Sequence, residues 1–416
     1  MKIFGVLALT LLITLATSTR AAVQYRTDIN PALRYYQAFL EGLQVPEVDR
    51  QYLMTNEWRG RKLDTKFGEI VGKYDYQFRI LREAAHLELP CDWGIDLTTG
   101  PDALLPGLAP AKSVAHVTRF RVLWNLQNDR QDDAREDLLA AFALSRNLSR
   151  DGVLISALVQ IAMENILASV VAENFFQWKP ETLKQIIEGI DAAPARGTIA
   201  QCVPGEKLAF QAWLRSKIAE IQNANAGNEV AMLQKIHALF VRVGSEDESS
   251  NNAKEGGDFA DRVIRAAGGT TQGVVGLIED LGTWYDRVAK LMTLPSEEFD
   301  TPMQQFASEV KNHTNPLVPK FFTVFNNCRS KEFGIWVKLA LLRAGVEYKL
   351  HGDAGLKDVK DPFGDGPFGF RRFFFHGQDR GFELKSNYKG RGFNEVLIFV
   401  EKDGIPFMID GKNAGK

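Results

Sequence analysis

The sequence predicts a mainly α fold, with an irregular domain of helical hairpins followed by a small C-terminal antiparallel β-meander packed on a long helix. Three observations support this prediction. Apolar residues recur at helical spacing from about residue 25 to about residue 240. The tail then changes to short runs of aromatic and β-branched residues separated by turns. The chain is also longer than the roughly 250–300 residues at which a single core stops growing, so we expect at least two domains.

The composition is that of a folded protein. Apolar residues make up 45% and charged residues 25% of the 416 positions, which argues against a disordered, collagen-like or polytopic membrane chain. Lys and Arg number 50 against 52 Asp and Glu, so the net charge is −2. A chain this close to neutrality has no global attraction to nucleic acid or anionic lipid, and no nucleic-acid partner is expected.

Residues 1–21 have the order of a secretory signal peptide. Lys2 precedes an apolar run over residues 3–15, which is short for the hydrocarbon core of a bilayer, and small residues follow it. We expect cleavage after Ala21, with Ser18 as the second choice and an uncleaved N-terminal anchor as the alternative. No later stretch reaches 18 uninterrupted apolar residues. The predicted location is therefore periplasmic or secreted, with no integral membrane span after cleavage.

Residues 22–243 are predicted to form an α-helical domain. Asp28 and Asn30 before Pro31 mark the start of its first helix. A Pro- and Gly-rich loop over residues 88–110 is long for a connection inside a helical domain, which suggests that it covers a groove. Further helices are predicted over residues 58–86, 111–127, 134–147, 152–176, 180–192, 204–223 and 231–243.

An acidic segment over residues 244–259 is predicted to be a flexible linker. Its sequence, GSEDESSNNAKEGGDF, has five acidic residues against one Lys and is rich in Ser, Asn and Gly. A cation-binding acidic loop is the alternative. A helical segment over residues 260–351 follows, with helices predicted over residues 260–292, 301–312 and 331–351. Gly345 lies inside the last of these and allows a kink, since Gly costs about 1 kcal/mol relative to Ala in a helix.

Residues 352–416 are predicted to form a β-meander module. The runs FGFRRFFFH, FELKSN, NEVLIFVE and IPFMI are rich in aromatic and β-branched residues. Turn-forming sequences separate them, and Asp403-Gly404 between the last two is a strong hairpin signal. We therefore expect four antiparallel strands over about residues 368–409.

The end of the last predicted helix and the start of this module carry a resemblance. LALLRAGVEYKLHGDAGLKDVKDPFGDGPFGFRR, followed by GFELKS, resembles a module that ends many uncharacterised secreted bacterial proteins. There, a helix leads through an Asp-Pro-aromatic-Gly turn into a β-hairpin, and the major pseudopilins of type II secretion have a similar turn. Asp361, Pro362, Phe363 and Gly364 match it. The resemblance implies an exported protein with a helical body and a C-terminal β module, and it supplies no catalytic residues.

The chain departs from pseudopilins at its N-terminus, which lacks their Gly-Phe-Thr-x-x-Glu processing and assembly helix. It also has Asp353-Ala354-Gly355 where the secreted family usually has Tyr-Pro-Glu. A pilus subunit is therefore not expected. The CDWG sequence and the predicted helix pair over residues 111–147 are similar to the helical part of the same secreted proteins, and this diffuse likeness extends over about residues 30–200.

The three cysteines allow one disulfide and one free thiol in an oxidising compartment, with three alternative pairings. Cys91 and Cys202 both lie in predicted loops beside Pro in one domain, so they are the expected pair. Cys328 is then the expected free thiol.

No catalytic motif is present: HExxH, GxSxG, a phosphate-binding Gly-rich loop and CxxC are all missing from the sequence. The six His residues lie far apart, so no metal site and no cofactor are predicted. Glu164 and Glu173 lie on the helix predicted over residues 152–176, which is apolar almost all round. Burial would raise the pKa of such a carboxyl and suit it to general acid catalysis, although pairing with Arg is the commoner arrangement. A secreted hydrolase using these carboxylates is the alternative function.

A small cation site is a second chemical alternative in the tail. Asp361, Asp365 and Gly366 provide oxygen ligands of the kind that Ca²⁺ prefers. Two carboxylates are few for such a site, and capping of the turn by Asp is the competing interpretation.

Residues 371–391 form the candidate binding surface, with six basic residues against two acidic ones and interleaved Phe residues. Successive strand residues face opposite sides, so Arg371 and Arg372 are expected on opposite faces, one face burying Phe against the last helix and the other presenting Arg to an anionic partner. An ordinary solvated sheet face is the alternative. The predicted binding residues are Arg371, Arg372, Lys389 and Arg391.

The favoured function is an exported cell-envelope binding or scaffold protein, whose partner is an envelope protein or an acidic polymer.

Overall fold

The computed structural model describes residues 28–55, 62–245, 250–390 and 393–402. The predicted signal peptide and the fourth predicted strand lie outside these residues. Within them, the chain is mainly α-helical and ends in a small antiparallel sheet of three strands. The predicted fold class is therefore confirmed.

Helical hairpins in the first part of the chain surround one hydrophobic core. The first helix begins as predicted, with the Asn30 side chain accepting a hydrogen bond of 3.0 Å from the backbone N–H of Ala32. The last begins at Pro180, where the missing N–H is tolerated. These helices are α1 (Pro31–Leu43), α2 (Glu47–Met54), α3 (Thr65–Gly72), α4 (Asp75–Ala85), α5 (Leu108–Gln127), α6 (Gln131–Leu148), α7 (Leu154–Glu173) and α8 (Pro180–Ala192).

The long loop predicted over residues 88–110 ends at Gly107, because α5 begins at Leu108. Its first part packs onto this first core, while Gly100 of its short 3₁₀ segment, Leu97–Asp102, lies against Trp213. Trp93 anchors the loop: it is 6% exposed and stacks on Tyr35 with ring centroids 5.7 Å apart. Its indole Nε1 donates a hydrogen bond of 2.9 Å to the carbonyl oxygen of Asn147. The loop therefore ties α1 to α6.

A second hydrophobic core is built mainly from the helices that follow α8. A π-helical segment, Lys207–Ala212, joins the first two of them. Leu154, Ala157 and Ile161, from the first half of α7, also belong to this core. The helices are α9 (Ile199–Glu206), α10 (Trp213–Ala224), α11 (Glu229–Gly244), α12 (Ser250–Ala266), α13 (Thr271–Leu291), α14 (Ser296–Lys311) and α15 (Leu317–Phe322).

The acidic segment differs from the predicted linker, because residues 250–259 lie in α12. Phe259 packs against Phe240 of α11, with ring centroids 6.3 Å apart. A Cβ at Gly256 would lie 2.5 Å from the carbonyl oxygen of Val241, so glycine permits the close approach of the two helices. The predicted boundary at residue 243 therefore falls inside the second core.

The long helix α16 (Phe325–His351), which is followed by the short α17 (Asp353–Asp358), belongs to both cores. Ile335 is buried in the second core and Val337 in the first. The helix continues through Gly345, where a Cβ would lie 2.1 Å from the Phe399 ring. Glycine is thus used at this position to admit an aromatic ring of the sheet.

The sheet consists of β1 (Gly369–Phe375), β2 (Gln378–Gly390) and β3 (Phe393–Val400), paired antiparallel in that order. Phe382 in the central strand is fully buried and stacks on Phe399 of β3, with ring centroids 4.7 Å apart. It also contacts Tyr348 of α16 and Phe175, which follows α7. One face of the sheet is therefore fixed on the first core.

Candidate functional site

The predicted basic surface lies on this sheet, where carboxylates already engage two of its arginines. Arg371 Nε lies 2.7 Å from Glu383 Oε1. The Arg372 guanidinium lies 2.7 Å from Asp379 and 2.8 Å from Glu401. Hydrogen bonds from these arginines to the carboxylates raise the pKa of both guanidinium groups. The charge available to a partner is smaller than the sequence count indicates.

The two arginines lie on opposite faces of the sheet, as strand alternation requires. Arg372 is opposite the buried Phe382, so it lies on the face toward α16. Arg371 is opposite Glu383 on the outer face, and its side chain is 72% exposed. Each face thus carries one arginine that already has a carboxylate partner.

Two lysines add positive charge to the surface, beside the half-buried Arg380, which donates a hydrogen bond to Gln378 Oε1. Lys385 and Lys389 on β2 are exposed, and neither has an ionic partner in the described part of the chain. Lys385 lies two residues after Glu383 on β2, so its side chain is on the same outer face as Arg371. Arg391 lies outside the described residues. The outer face therefore presents lysine charge next to an exposed arginine.

β1 is an edge strand of the sheet. It pairs with β2 on one side, and no residue within the described ranges pairs with its other side. Phe370 and Phe374 on this strand are 38% and 59% exposed. The unpaired N–H and C=O groups of an edge strand are a template for another extended chain. β1 thus combines free backbone groups with exposed aromatic rings.

The Asp-Pro-Phe-Gly turn is held by a buried carboxylate. Asp361 is 2% exposed, and its Oδ1 accepts hydrogen bonds from Ser386 Oγ at 2.7 Å and from the N–H of Phe363 at 3.0 Å. Its Oδ2 accepts from the N–H of Asn387 at 2.6 Å. A Cβ at Gly364 would lie 2.4 Å from the Asn387 amide, which explains the glycine. The motif therefore fastens the turn to β2.

This arrangement favours turn capping over the Ca²⁺ interpretation. Both oxygens of Asp361 face hydrogen-bond donors, and the Asp365 side chain is exposed. No group of three or more His, Cys, Asp or Glu side chains that could hold a metal occurs in the part of the chain that the structure describes.

The three cysteines are buried free thiols, so the predicted disulfide is not formed in this structure. Cys91 belongs to the first core, whereas Cys202 and Cys328 belong to the second. Burial raises the pKa of Cys91 to about 12 and that of Cys328 to about 11. The prediction relied on Pro as a loop marker, but Pro204 lies inside α9 together with Cys202.

Both carboxylates considered as general acids are paired with arginines. Glu164 is fully buried; its Oε1 accepts a hydrogen bond of 3.1 Å from Arg146, and Arg196 binds its Oε2. Glu173 is partly exposed and lies 2.8 Å from Arg119. Guanidinium groups on both oxygens fix the Glu164 carboxylate, an arrangement typical of a structural ion pair.

Two carboxylates at the N-terminus of α7 carry no signal in the sequence. Asp151 accepts hydrogen bonds from the N–H of Val153 at 2.9 Å and from Ser156 Oγ at 2.6 Å. Glu206 accepts one of 3.0 Å from the N–H of Leu154. Burial raises the pKa of both carboxyls. Their bonds to N–H groups at the start of the helix identify them as caps.

Helices α7 and α16 meet at a polar contact that no motif in the sequence predicts. Lys338 Nζ lies 2.8 Å from Ser169 Oγ, and both side chains are partly buried. Glu173 follows Ser169 by one helical turn. Glu395 of β3 lies against Gly334, one turn before Lys338, where a Cβ would be 3.4 Å from its Oε1. We call Ser169, Lys338, Glu173 and Glu395 the α7–α16 seam.

The surroundings of the seam shift the lysine toward its uncharged form. Burial lowers the pKa of Lys338, and Glu173 and Glu395 oppose that effect without cancelling it. Burial raises the pKa of Glu395, which Lys338 partly offsets. Ser169 and Lys338 are 169 positions apart, so only the tertiary structure shows that a hydroxyl and an amine meet here.

Comparison with known proteins gives no match for this chain, whether to a protein-family model, a curated protein or a solved structure. Its function is therefore inferred from the chemistry of its own residues.

A shallow cleft of about 340 Å³ lies on the surface between α1 and α4. Arg34 donates a hydrogen bond of 2.9 Å to Gln37, and the Arg79 guanidinium lies 4.4 Å from the ring centre of Tyr76. Several of its polar side chains thus bind one another. The lining residues are Arg34, Gln37, Glu41, Tyr76, Arg79, Ile80 and Glu83.

Among the described helices, α7 alone is long and apolar enough to cross a membrane by length and composition. Within its apolar window, 61% is buried inside the protein. Its residues contribute to both hydrophobic cores, which accounts for its composition without a bilayer.

Proposed function

We propose that this chain is an exported cell-envelope binding protein that holds an extended, acidic segment of a partner protein along the edge of β1. The observation that carries the proposal is the unpaired edge of β1 with its exposed Phe370 and Phe374. An added strand would use the backbone groups for affinity, and alternate side-chain contacts would provide specificity.

The charge around β1 indicates which kind of partner would bind there. Arg371, Lys385 and Lys389 expose positive charge on β1 and β2, while Glu383 neutralises only part of it. Acidic side chains on an added strand would therefore be favoured. A protein segment is preferred over an acidic polysaccharide because a polysaccharide offers no peptide backbone to continue the sheet.

Export rests on the sequence of residues 1–21, and the Asp-Pro-Phe-Gly turn over residues 361–364 supports it by resemblance. The predicted location, periplasmic or secreted, places the binding surface among envelope proteins and acidic envelope polymers. Both kinds of ligand therefore belong in the test.

A blocked synthetic peptide of alternating Glu and Val tests the proposal, with alginate as an acidic polymer that has no peptide backbone. Fluorescence anisotropy measures affinity, and hydrogen exchange measures the protection of β1. We expect the peptide to slow exchange of the outward-facing β1 amides by at least about tenfold and alginate to leave them unchanged.

Variants distinguish the contribution of the β1 edge to peptide binding from that of the rest of the surface. Phe374→Ser should weaken peptide binding about tenfold through lost aromatic contact, and Lys385→Ser with Lys389→Ser should reduce its salt dependence. Val230→Ser is the control, because Val230 is 67% exposed but lies on α11. Peptide binding without protection of β1, no peptide binding, or equal loss in the Val230 variant would contradict the proposal. Tighter binding of alginate would favour an acidic polymer instead.

A further inference from the structure

The α7–α16 seam places a hydroxyl nucleophile next to an amine base. We propose that Ser169 and Lys338 form a nucleophile–base pair that cleaves an uncharged carboxylic ester. This activity is independent of binding at β1.

The geometry satisfies the first requirement for such a pair. Lys338 Nζ and Ser169 Oγ are 2.8 Å apart, within the range over which a base removes a proton from a nucleophile. Both residues lie on long helices that pack against each other, so the contact is held by the fold. Both residues are partly buried and neither is fully enclosed in a core.

The surroundings of the amine bear on the second requirement, that the base be available without a proton. Ser169 Oγ is the one hydrogen-bond partner of Lys338 Nζ within the described chain. The nearby charges are Glu173, which is paired with Arg119 of α5, and Glu395 of β3. Burial outweighs these carboxylates and lowers the pKa of Lys338.

The charge of the seam selects the substrate class. Once Lys338 is neutral, Glu395 and the Glu173–Arg119 pair leave no excess of positive charge, so an anionic substrate is not favoured. An ester suits the pair better than an amide, because an alkoxide leaves more readily than an amide nitrogen.

The proposed reaction has two balanced steps. The neutral amine of Lys338 takes the proton from Ser169, Oγ bonds to the ester carbonyl carbon, and the bond to the alcohol oxygen breaks as that oxygen receives the proton from the ammonium group. Water then attacks the acyl-serine while Lys338 takes its proton and returns a proton to Oγ. The products are a carboxylic acid and an alcohol, and Ser169 and Lys338 are regenerated.

Covalent labelling tests the pair in the full-length protein. A fluorophosphonate probe is added, and the modified serines are mapped and timed by peptide mass spectrometry. We expect Ser169 to be labelled faster than Ser216, which is more exposed and has Glu220 at 3.4 Å instead of an amine. The label should disappear from position 169 in Ser169→Ala.

Substitutions of Lys338 distinguish a role as a general base from a role as a structural cation. Lys338→Met should slow labelling of Ser169 about a hundredfold, the usual contribution of a general base. Lys338→Arg should be equally slow, because a guanidinium donates to Oγ but does not lose its proton. Lys349→Met is the matched control, since Lys349 lies on the same helix but donates to the carbonyl oxygens of Phe175 and Trp178.

The outcomes are distinct. Preferential labelling of Ser169 that both Lys338 variants abolish, together with hydrolysis of 4-nitrophenyl acetate through an acetyl-Ser169 intermediate, supports the proposal. Labelling no faster than at Ser216, rescue by Lys338→Arg, or acetylation of Lys338 without any at Ser169 overturns it. Circular dichroism verifies that each variant is folded, and Ser169→Ala with Lys338→Arg suffices if Lys338→Met does not fold.

Discussion

Helix α7 carries two polar residues whose surroundings differ in burial and in the number of polar partners. Glu164 is fully buried and has an arginine on each carboxylate oxygen. Ser169, five residues later, meets Lys338 at a partly buried contact in which a single hydroxyl is the direct partner of the amine within the described chain. We expect both the number of direct partners and the degree of burial to distinguish a structural charge such as Glu164 from the proposed base Lys338.

Asp137, like Glu164, is a buried carboxylate bound by two arginines. Its substitution should show the largest effect on stability. Its carboxylate is fully buried, with Arg82 and Arg121 at 2.6 and 2.7 Å. Asp137→Ala should lower the free energy of unfolding by about 3–5 kcal/mol, since it leaves two guanidinium groups without their main partner. Urea denaturation measures this loss. Asp132→Ala on the same helix is the control, because the Asp132 side chain is 84% exposed. Equal losses in the two variants would show that burial between two arginines does not determine the contribution of Asp137 to stability.

The buried thiols are groups whose charged form would also be buried. Because burial raises the pKa of Cys91 from 9.0 to about 12, its thiolate population at pH 8 should fall about a thousandfold. We expect very slow reaction of the native protein with DTNB. Three thiols should react after unfolding without reductant. A count of one would reveal a disulfide and contradict the buried free thiols.

The Asp361 turn should show an intermediate, local effect. Asp361→Asn weakens the acceptor of three hydrogen bonds and should cost about 1–3 kcal/mol, measured as faster hydrogen exchange in β1 and β2. Asp365→Asn is the control because that side chain is exposed. Unchanged exchange in Asp361→Asn would show that the carboxylate does not hold the turn.

The pair of Arg371 with Glu383 should show the smallest effect on stability. The Arg371 side chain is 72% exposed, although that of Glu383 is only 9% exposed, and an ion pair with one partner in solvent should contribute about 1 kcal/mol. Arg371→Ser should therefore leave the urea midpoint nearly unchanged. A loss as large as that of Asp137→Ala would mean that the number of partners does not determine how much these charged residues contribute to the free energy of unfolding.

Local sequence signals predicted much of the secondary structure. Asn30 before Pro31 gave the start of α1, and Pro180 gave the start of α8, because capping groups and Pro act within one helical turn. Aromatic and β-branched runs with turns between them gave β1, β2 and β3. The acidic stretch before Phe259 has the composition of a linker, and that composition does not show the contact of Phe259 with α11.

The candidate sites depended more on tertiary structure. The sequence placed Arg371 and Arg372 on opposite faces, but it could not show that carboxylates from neighbouring strands engage them. It gave no signal for Ser169 and Lys338, because a lone Ser and a lone Lys in separate helices are ordinary residues until the helices meet.

The most direct test compares Glu164→Gln with Lys338→Met by urea denaturation at pH 7. Glu164→Gln should lose about 3 kcal/mol of unfolding free energy, because two arginines keep their buried charge without a carboxylate. Lys338→Met should change it by less than about 1 kcal/mol, or raise it, since the lowered pKa shows that folding disfavours the ammonium form. Equal losses in the two variants would contradict the account, because Lys338 would then be a structural charge like Glu164.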